Sequence, residues 1–266
     1  MDHIFAKKSL GQNWLVSQSA LGKIVEAADI KPGEKILEIG PGKGTLTEYL
    51  LNSGANVIAI EKDHRLTLPL QEKFEKEIES GQLTLLEADA LQLPADLLSD
   101  LGNYKLVANI PYYITGEIIR NFLESDHQPQ KAVLMVQKEV AKRIVGLTNP
   151  KSSSDNRIKE SILSISVKVY GRPSIAGIVP KGAFRPIPNV DSAILVISDI
   201  NKNFFNNINE KDFFKVVKQG FSQKRKLLKS NLGVEKDILA DCGLDEKIRA
   251  EELTVFDWQE LVEKIK

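Results

Sequence analysis

Lys35-Ile36-Leu37-Glu38-Ile39-Gly40-Pro41-Gly42-Lys43-Gly44-Thr45 is the stretch that decides the fold. Ile36, Leu37 and Ile39 among its first five residues are apolar and partly β-branched, which predicts a buried strand. The glycines predict a tight turn, and residues 45–52 a helix. A strand that runs through a glycine turn into a helix is half of a βαβ unit. It places backbone amides and a helix N-terminus beside any ligand that comes close. Outward from this stretch the alternation continues. Leu21, Ile24, Val25 and Ala28 have helical spacing. Strands are expected at residues 56–60, 83–86, 105–109 and 132–136. A charged helix reaches to about residue 80 with Pro69 as a flaw near its start, and further helices cover 115–124 and 138–145. Residues 175–179 and 192–197 read as two closing strands. This is an α/β chain with a doubly wound, mostly parallel sheet.

The organisation changes towards the C-terminus. Residues 146–156 are polar, with Pro150 and three serines, and predict a mobile loop. Ile158, Ile162, Ile165 and Val169 are spaced for a helix face. Beyond about residue 202 strand signals stop, and residues 213–232 and 246–265 read as two helices. The expected division is therefore a sheet domain over 1–200 and a small all-helical domain over 201–266.

Composition removes several function classes. The 266 residues are 42% hydrophobic, as in a globular chain with a real core. One cysteine, Cys242, excludes an intrachain disulfide and a cysteine-rich metal site, and fits a reducing cytoplasmic compartment. His3, His64 and His127 are scattered, so no metal site is expected. No apolar run of about 18 residues is present and no secretory leader is seen. Net charge is zero, so contact with nucleic acid must rest on local clustering.

Three features mark a ligand crevice. Gly40-x-Gly42-x-Gly44 alone could be a structural turn, and Thr45 stands where a dinucleotide fingerprint wants its last glycine. Glu61 ends the next strand, where an acid can accept hydrogen bonds from both hydroxyls of a ribose. Asp89 ends the third strand, placed for an adenine amino group. Either acid alone reads as a solvated loop carboxylate. Together, at the carboxyl ends of successive strands, they point to a nucleoside-bearing cofactor. The fourth strand ends in Asn109-Ile110-Pro111-Tyr112. An amide, a backbone carbonyl and an aromatic face suit the exocyclic amine of a purine, although the same residues could form a proline turn with a capping asparagine.

These motifs, with Ser9-Leu-Gly-Gln-Asn-Trp-Leu15, Ala183-Phe-Arg-Pro-Ile-Pro-Asn-Val-Asp-Ser-Ala193 and Phe221-Ser-Gln-Lys-Arg-Lys-Leu-Leu-Lys-Ser-Asn-Leu232, resemble the KsgA family of small-subunit ribosomal RNA adenine-N6 dimethyltransferases. The likeness runs from about Lys7 to the C-terminus. It implies a Rossmann-like S-adenosylmethionine methyltransferase sheet. It implies that Asn13 and Leu15 line the methionine end of the cofactor, that Gly40 and Gly42 pass under it, and that Glu61 holds its ribose and Asp89 its adenine. Asn109 would lie between cofactor and substrate, with the Ile110 carbonyl as a second acceptor, and Tyr112 and Phe184 would stack on the target adenine. Trp14 stands where the family usually has Phe. Residues 152–159 are longer and more charged than the corresponding family stretch.

The expected substrate is the 3′-terminal hairpin of small-subunit rRNA, within a precursor particle, met by a monomer. Residues 211–229 hold seven Lys or Arg and one acid. Lys224, Arg225, Lys226 and Lys229 are the expected RNA contacts, on one helix, with Lys7 and Lys8 as a possible extension; a solvated helix face is the competing reading. Rival functions are an Erm-like enzyme acting on large-subunit rRNA, which Gln223-Lys-Arg-Lys226 and Pro188-Asn-Val-Asp-Ser192 argue against, and a non-catalytic assembly or transcription factor on the same fold.

Overall fold

The first secondary-structure elements are β1 (Trp14–Leu15), α1 (Gln18–Ala28), β2 (Lys35–Ile39), α2 (Thr45–Asn52), β3 (Asn56–Glu61), α3 (His64–Lys73), α4 (Glu75–Glu79) and β4 (Leu83–Glu87). The chain continues through α5 (Ala95–Leu101), β5 (Tyr104–Asn109), α6 (Thr115–Glu124), β6 (Lys131–Gln137) and α7 (Lys138–Val145). Then come α8 (Ile162–Lys168), β7 (Arg172–Val179), β8 (Phe184–Arg185), β9 (Ser192–Ser198), α9 (Glu210–Gly220), α10 (Leu228–Leu232), α11 (Lys236–Asp241) and α12 (Val255–Ile265). The computed structural model describes residues 4–7, 10–146 and 159–265. Lys8, His3, Ile158 and most of the loop expected at 146–156 lie outside them.

Seven strands form one sheet in the order β4-β3-β2-β5-β6-β9-β7. The first five are parallel, and β9 and β7 add antiparallel at one edge. The order reverses direction at β2, so β3 and β5 flank it and a crevice opens at their carboxyl ends. Helices α2, α6 and α7 keep the limits expected from sequence. The charged helix does not break at Pro69. It breaks at Phe74 (φ −116°, ψ 30°), whose ring is buried against Gly44, where a Cβ would stand 2.5 Å from the ring. Helix α5 and the two-residue pair β1–β8 were not expected. Two residues are too few for an alternation signal, and their pairing joins Trp14 to Arg185 and Leu15 to Phe184 across the chain.

The described residues form two compact units. One comprises Met1–Ala141 with Arg172–Ile200; the other comprises Lys142–Gly171 with Asn201–Lys266. Against the expected division at residue 200, the helical unit also takes in α8 and its flanks. Aromatic packing is the reason. The Tyr170 ring lies 5.3 Å from Phe205 and 6.3 Å from Phe214, and its hydroxyl donates to Glu210 Oε1 at 2.7 Å. Lys159 Nζ meets Glu251 Oε1 at 2.7 Å, and the Glu160 amide donates to the Glu251 carbonyl at 2.7 Å. Such contacts join segments far apart in sequence and leave no local signal.

Within the helical unit α9 crosses α12 at Gly220. A Cβ there would stand 2.4 Å from the ring of Trp258, which is fully buried. Gly220→Ala is expected to destabilise this unit by about 1–3 kcal/mol, the usual cost of overpacking a core. Thermal unfolding followed by circular dichroism checks this; an unchanged midpoint would show that the crossing has slack.

Candidate active site

The turn after β2 is anchored before it meets any ligand. The Gly40 amide donates to the Ile60 carbonyl at 2.9 Å, and the Gly42 amide donates to Glu61 Oε2 at 3.1 Å. Gly42 has φ 60°, and a Cβ on it would stand 2.9 Å from Trp14. Gly40 has φ 66°, and a Cβ on it would meet nothing within 4 Å. Its bare backbone therefore faces open space, the cradle that a closely approaching ligand needs. That space is a cleft bounded by Gly40 and Gly42, Glu61, Asp89, Asn109 and residues 10–14.

Two buried acids stand at the ends of β2 and β3, in different environments. Glu61 is 5% exposed; besides the Gly42 amide it accepts the Asp63 amide at Oε1 at 2.8 Å. Burial raises its pKa, and these two amides oppose that by favouring the carboxylate. Each oxygen keeps a lone pair for a ribose hydroxyl. Glu38 is 1% exposed and neither of its oxygens has a hydrogen-bond partner. Burial raises its pKa to about 8; the Thr47 hydroxyl opposes this and the Glu61 carboxylate adds to it. Glu38 thus holds its proton at neutral pH while Glu61 is the better anion. Asp89 borders the cleft, accepting Lys62 Nζ at 2.6 Å and the Leu91 amide at 3.0 Å. Partial burial pushes its pKa up, but the Lys62 bond and the amide outweigh this and hold it low. Lys62 was not foreseen as its partner.

At the other end of the cleft Asn109 Nδ2 donates to the Asn13 carbonyl at 3.0 Å. A carbonyl only accepts, so this bond fixes which way the amide is turned and leaves Oδ1 as the free acceptor. Ile110 follows at the cleft wall. Tyr112 is half-buried, its hydroxyl 2.7 Å from Ser192 Oγ at the start of β9. Burial raises the phenol pKa and the Ser192 bond offsets it in part, so the ring is held by a neutral hydroxyl. Ser192, fully buried, was missed as a support of this ring.

Two expected residues are not at the cleft. Phe184 is fully buried in the hydrophobic core and cannot stack on a base in this conformation. Leu15, 2% exposed, lies in the same core. Both are drawn inward by the β1–β8 pairing, and their work is to fix Asn13 and Trp14 beside the cleft. Trp14, read only as a departure, borders the cleft, and Lys43 Nζ sits 4.5 Å from its ring centre.

The family model described as ribosomal RNA adenine dimethylase matches residues 5–266. The chain belongs to this family. Its relatives include a ribosomal RNA small subunit methyltransferase A from Dehalococcoides mccartyi, 41% identical over 265 residues, covering 96% of this chain and 87% of the relative. The protein of the same name from Lactobacillus johnsonii is 39% identical over 278 residues, covering 98% and 91%. Among solved structures, a dimethyladenosine transferase from Plasmodium falciparum aligns with TM-score 0.76 at 27% identity over 93% of this chain and 95% of that one. The 23S rRNA methyltransferase ErmE aligns with TM-score 0.72 at 22% identity, over 95% and 99%, a likeness of fold alone. As a ribosomal RNA adenine dimethylase the chain uses S-adenosylmethionine, and the bare Gly40 backbone and the Glu61 carboxylate fit that group's amino-acid and ribose parts.

For a dimethylase of RNA, the cations of the helical unit matter. They do not lie on one helix: α9 ends at Gly220 and α10 starts at Leu228, so Lys224, Arg225 and Lys226 sit on the intervening turn, all exposed. Asn231 shapes that turn, its Nδ2 donating to the Gly220 carbonyl at 2.5 Å and the Gln223 carbonyl at 3.1 Å. Lys229 is set apart on α10, half-buried, with Nζ 3.4 Å from Glu246 Oε2. No helix among the described residues is long and apolar enough to cross a membrane.

Glu38 yields a pH prediction. The unfolded chain releases this proton near the ordinary 4.5, and the folded chain keeps it to about 8. Its contribution is therefore full below pH 4.5 and is lost as pH rises to 8, at up to about 1.4 kcal/mol per pH unit. Glu38→Gln, which stays neutral, should flatten the decline in stability across that window. Denaturant unfolding at pH 5 and pH 8 checks it; parallel declines in both proteins would refute it.

Proposed function

We propose that the chain dimethylates N6 of two adjacent adenosines in the 3′-terminal hairpin of small-subunit rRNA, acting as a cytoplasmic monomer on a precursor small subunit. The observation that carries the chemistry is the Asn109 amide at the cleft, whose nitrogen is taken up by the Asn13 carbonyl so that its oxygen is left as an acceptor. The lone pair of an adenine amine is conjugated with the ring and is a weak nucleophile. Two acceptors, Asn109 Oδ1 and the Ile110 carbonyl, favour a pyramidal nitrogen with its lone pair free. S-adenosylmethionine supplies a methyl group on a positively charged sulfur. Asn109 is no base, because an amide does not titrate usefully, so the proton leaves to water after transfer. Positioning carries the rate. Tyr112 offers one stacking face for an extruded base.

The choice of the small subunit rests on relatives of that name at 37–42% identity, against a fold-level likeness to the 23S enzyme. A non-catalytic factor is disfavoured because Gly40, Gly42, Glu61 and Asp89 all border one cleft.

Labelled S-adenosylmethionine and small-subunit particles lacking the mark test the reading. Label should enter two neighbouring adenosines near the 3′ end, mapped by primer extension; a stop on the large rRNA would favour the Erm-like rival. In this assay Asn109→Ala should lower kcat on the order of 100-fold, the scale of lost orientation, and an unchanged kcat would end the orientation argument. Replacing Lys224, Arg225 and Lys226 together by Ala should weaken RNA binding and reduce its salt slope by about 2–3. Cofactor affinity should not move; equal loss of both would make the turn structural.

A further inference from the structure

Residues 10–14 border the cofactor cleft and are held in two different ways. The C-terminal side is fixed by backbone: Trp14 and Leu15 pair with β8, the Val16 amide donates to the Ala183 carbonyl at 2.9 Å, and Thr45 Oγ1 donates to the Leu15 carbonyl at 3.0 Å. The N-terminal side hangs on side chains. Gln12 Oε1 accepts the Lys7 amide at 2.8 Å, and Gln12 Nε2 donates to Asp63 Oδ2 at 2.8 Å. Gly11, at φ 58°, presses on Tyr113, where a Cβ would stand 3.0 Å from the ring.

Asp63 is built to receive this bond. It is 2% exposed and caps α3. Its Oδ1 accepts Arg65 Nε at 2.9 Å and its Oδ2 accepts Arg65 Nη2 at 2.6 Å. The Arg65 guanidinium, with the Gln12 amide helping, holds the carboxyl well below the usual range, so it stays an anion. Its own amide donates to Glu61 Oε1 at 2.8 Å. One turn of chain thus supports the ribose acid with its backbone and the cleft segment with its side chain. Only an amide suits residue 12, since it must donate to an anion and accept from a backbone N–H together.

We propose that Gln12 and Asp63 form a latch that holds residues 10–13 against the cofactor cleft and sets the residence time of S-adenosylmethionine. Both are positioning residues. Gly11 is the point about which the latched end swings, and β1 is the fixed end. The inference rests on the cleft being the cofactor site.

Binding of S-adenosylhomocysteine to the whole chain, followed by stopped-flow fluorescence, tests it without turnover. Gln12→Ala should raise the dissociation rate about 10-fold, the scale of one hydrogen bond to a charged group, with the unfolding midpoint unchanged. Gln12→Glu sets a carboxylate against Asp63, with Arg65 and Glu61 the other charges that face this position. Dissociation should be fast at pH 8 and return towards the wild-type rate at pH 5, where the introduced carboxyl is protonated and can donate as the amide does. A merely structural role would not give that pH profile. Dissociation rates within two-fold of wild type for Gln12→Ala, or no pH dependence in Gln12→Glu, would overturn the latch. Failure of the wild type to bind S-adenosylhomocysteine would instead overturn the assignment of the cleft.

Discussion

The hydrogen bond from the Gly42 amide to the Glu61 carboxylate joins the ends of two neighbouring parallel strands, and the rest of the site depends on it. It can form only because β2 and β3 run in register, Ile39 beside Ile60, so that the turn after one strand meets the last side chain of the next. Parallel strands at a reversal of sheet order leave their carboxyl ends splayed. Without a tie, the glycine turn would have no fixed height above the sheet. A carboxylate is an expensive tie when buried, and two backbone amides offset that cost. Glu38 lies one strand over with no such amides, and the same burial drives it to the neutral form. Burial thus raises the pKa of both carboxyls, and only Glu61 has backbone amides that favour its charged form.

The reacting end is ordered on the same plan. Asn109 and Tyr112 are each restrained by a partner from elsewhere in the chain, Asn13 and Ser192. Each partner removes one freedom, the turn of an amide and the swing of a ring. For a reaction whose nucleophile is weak by conjugation and whose electrophile is supplied by the cofactor, lost orientation is the barrier a protein can most readily lower.

What was legible in the sequence follows from the same physics. Parallel strands buried on both faces are apolar runs, and α2, α6 and α7 have their ends set by nearby residues, so these elements were read correctly. That the glycine turn, Glu61 and Asp89 border one cleft was legible because a sheet of this kind opens its crevice at strand ends. Phe184 and Leu15 were misread because their burial comes from a two-residue pairing between segments some distance apart. Tyr170, just after α8, packs in the helical unit through ring contacts with Phe205 and Phe214. Residues 213–232 were read as one helix because their composition is helical; α9 and α10 occupy the two ends, and at 221–227 the Asn231 amide, donating to the carbonyls of Gly220 and Gln223, stabilises a turn instead.

That turn is also where the proposed RNA contact of a chain of zero net charge would lie. Long-range attraction is weak for such a chain, and at physiological salt it is screened beyond about 8 Å. Affinity must then come from cations already gathered where the phosphates will lie. On a helix, three consecutive residues would fan out by about 100° each. On the turn held at two carbonyls by the Asn231 amide, Lys224, Arg225 and Lys226 are all exposed. In the proposed RNA contact, the break between α9 and α10 leaves these three cations exposed on one short segment, and Asn231, which carries no charge, holds the backbone of that segment.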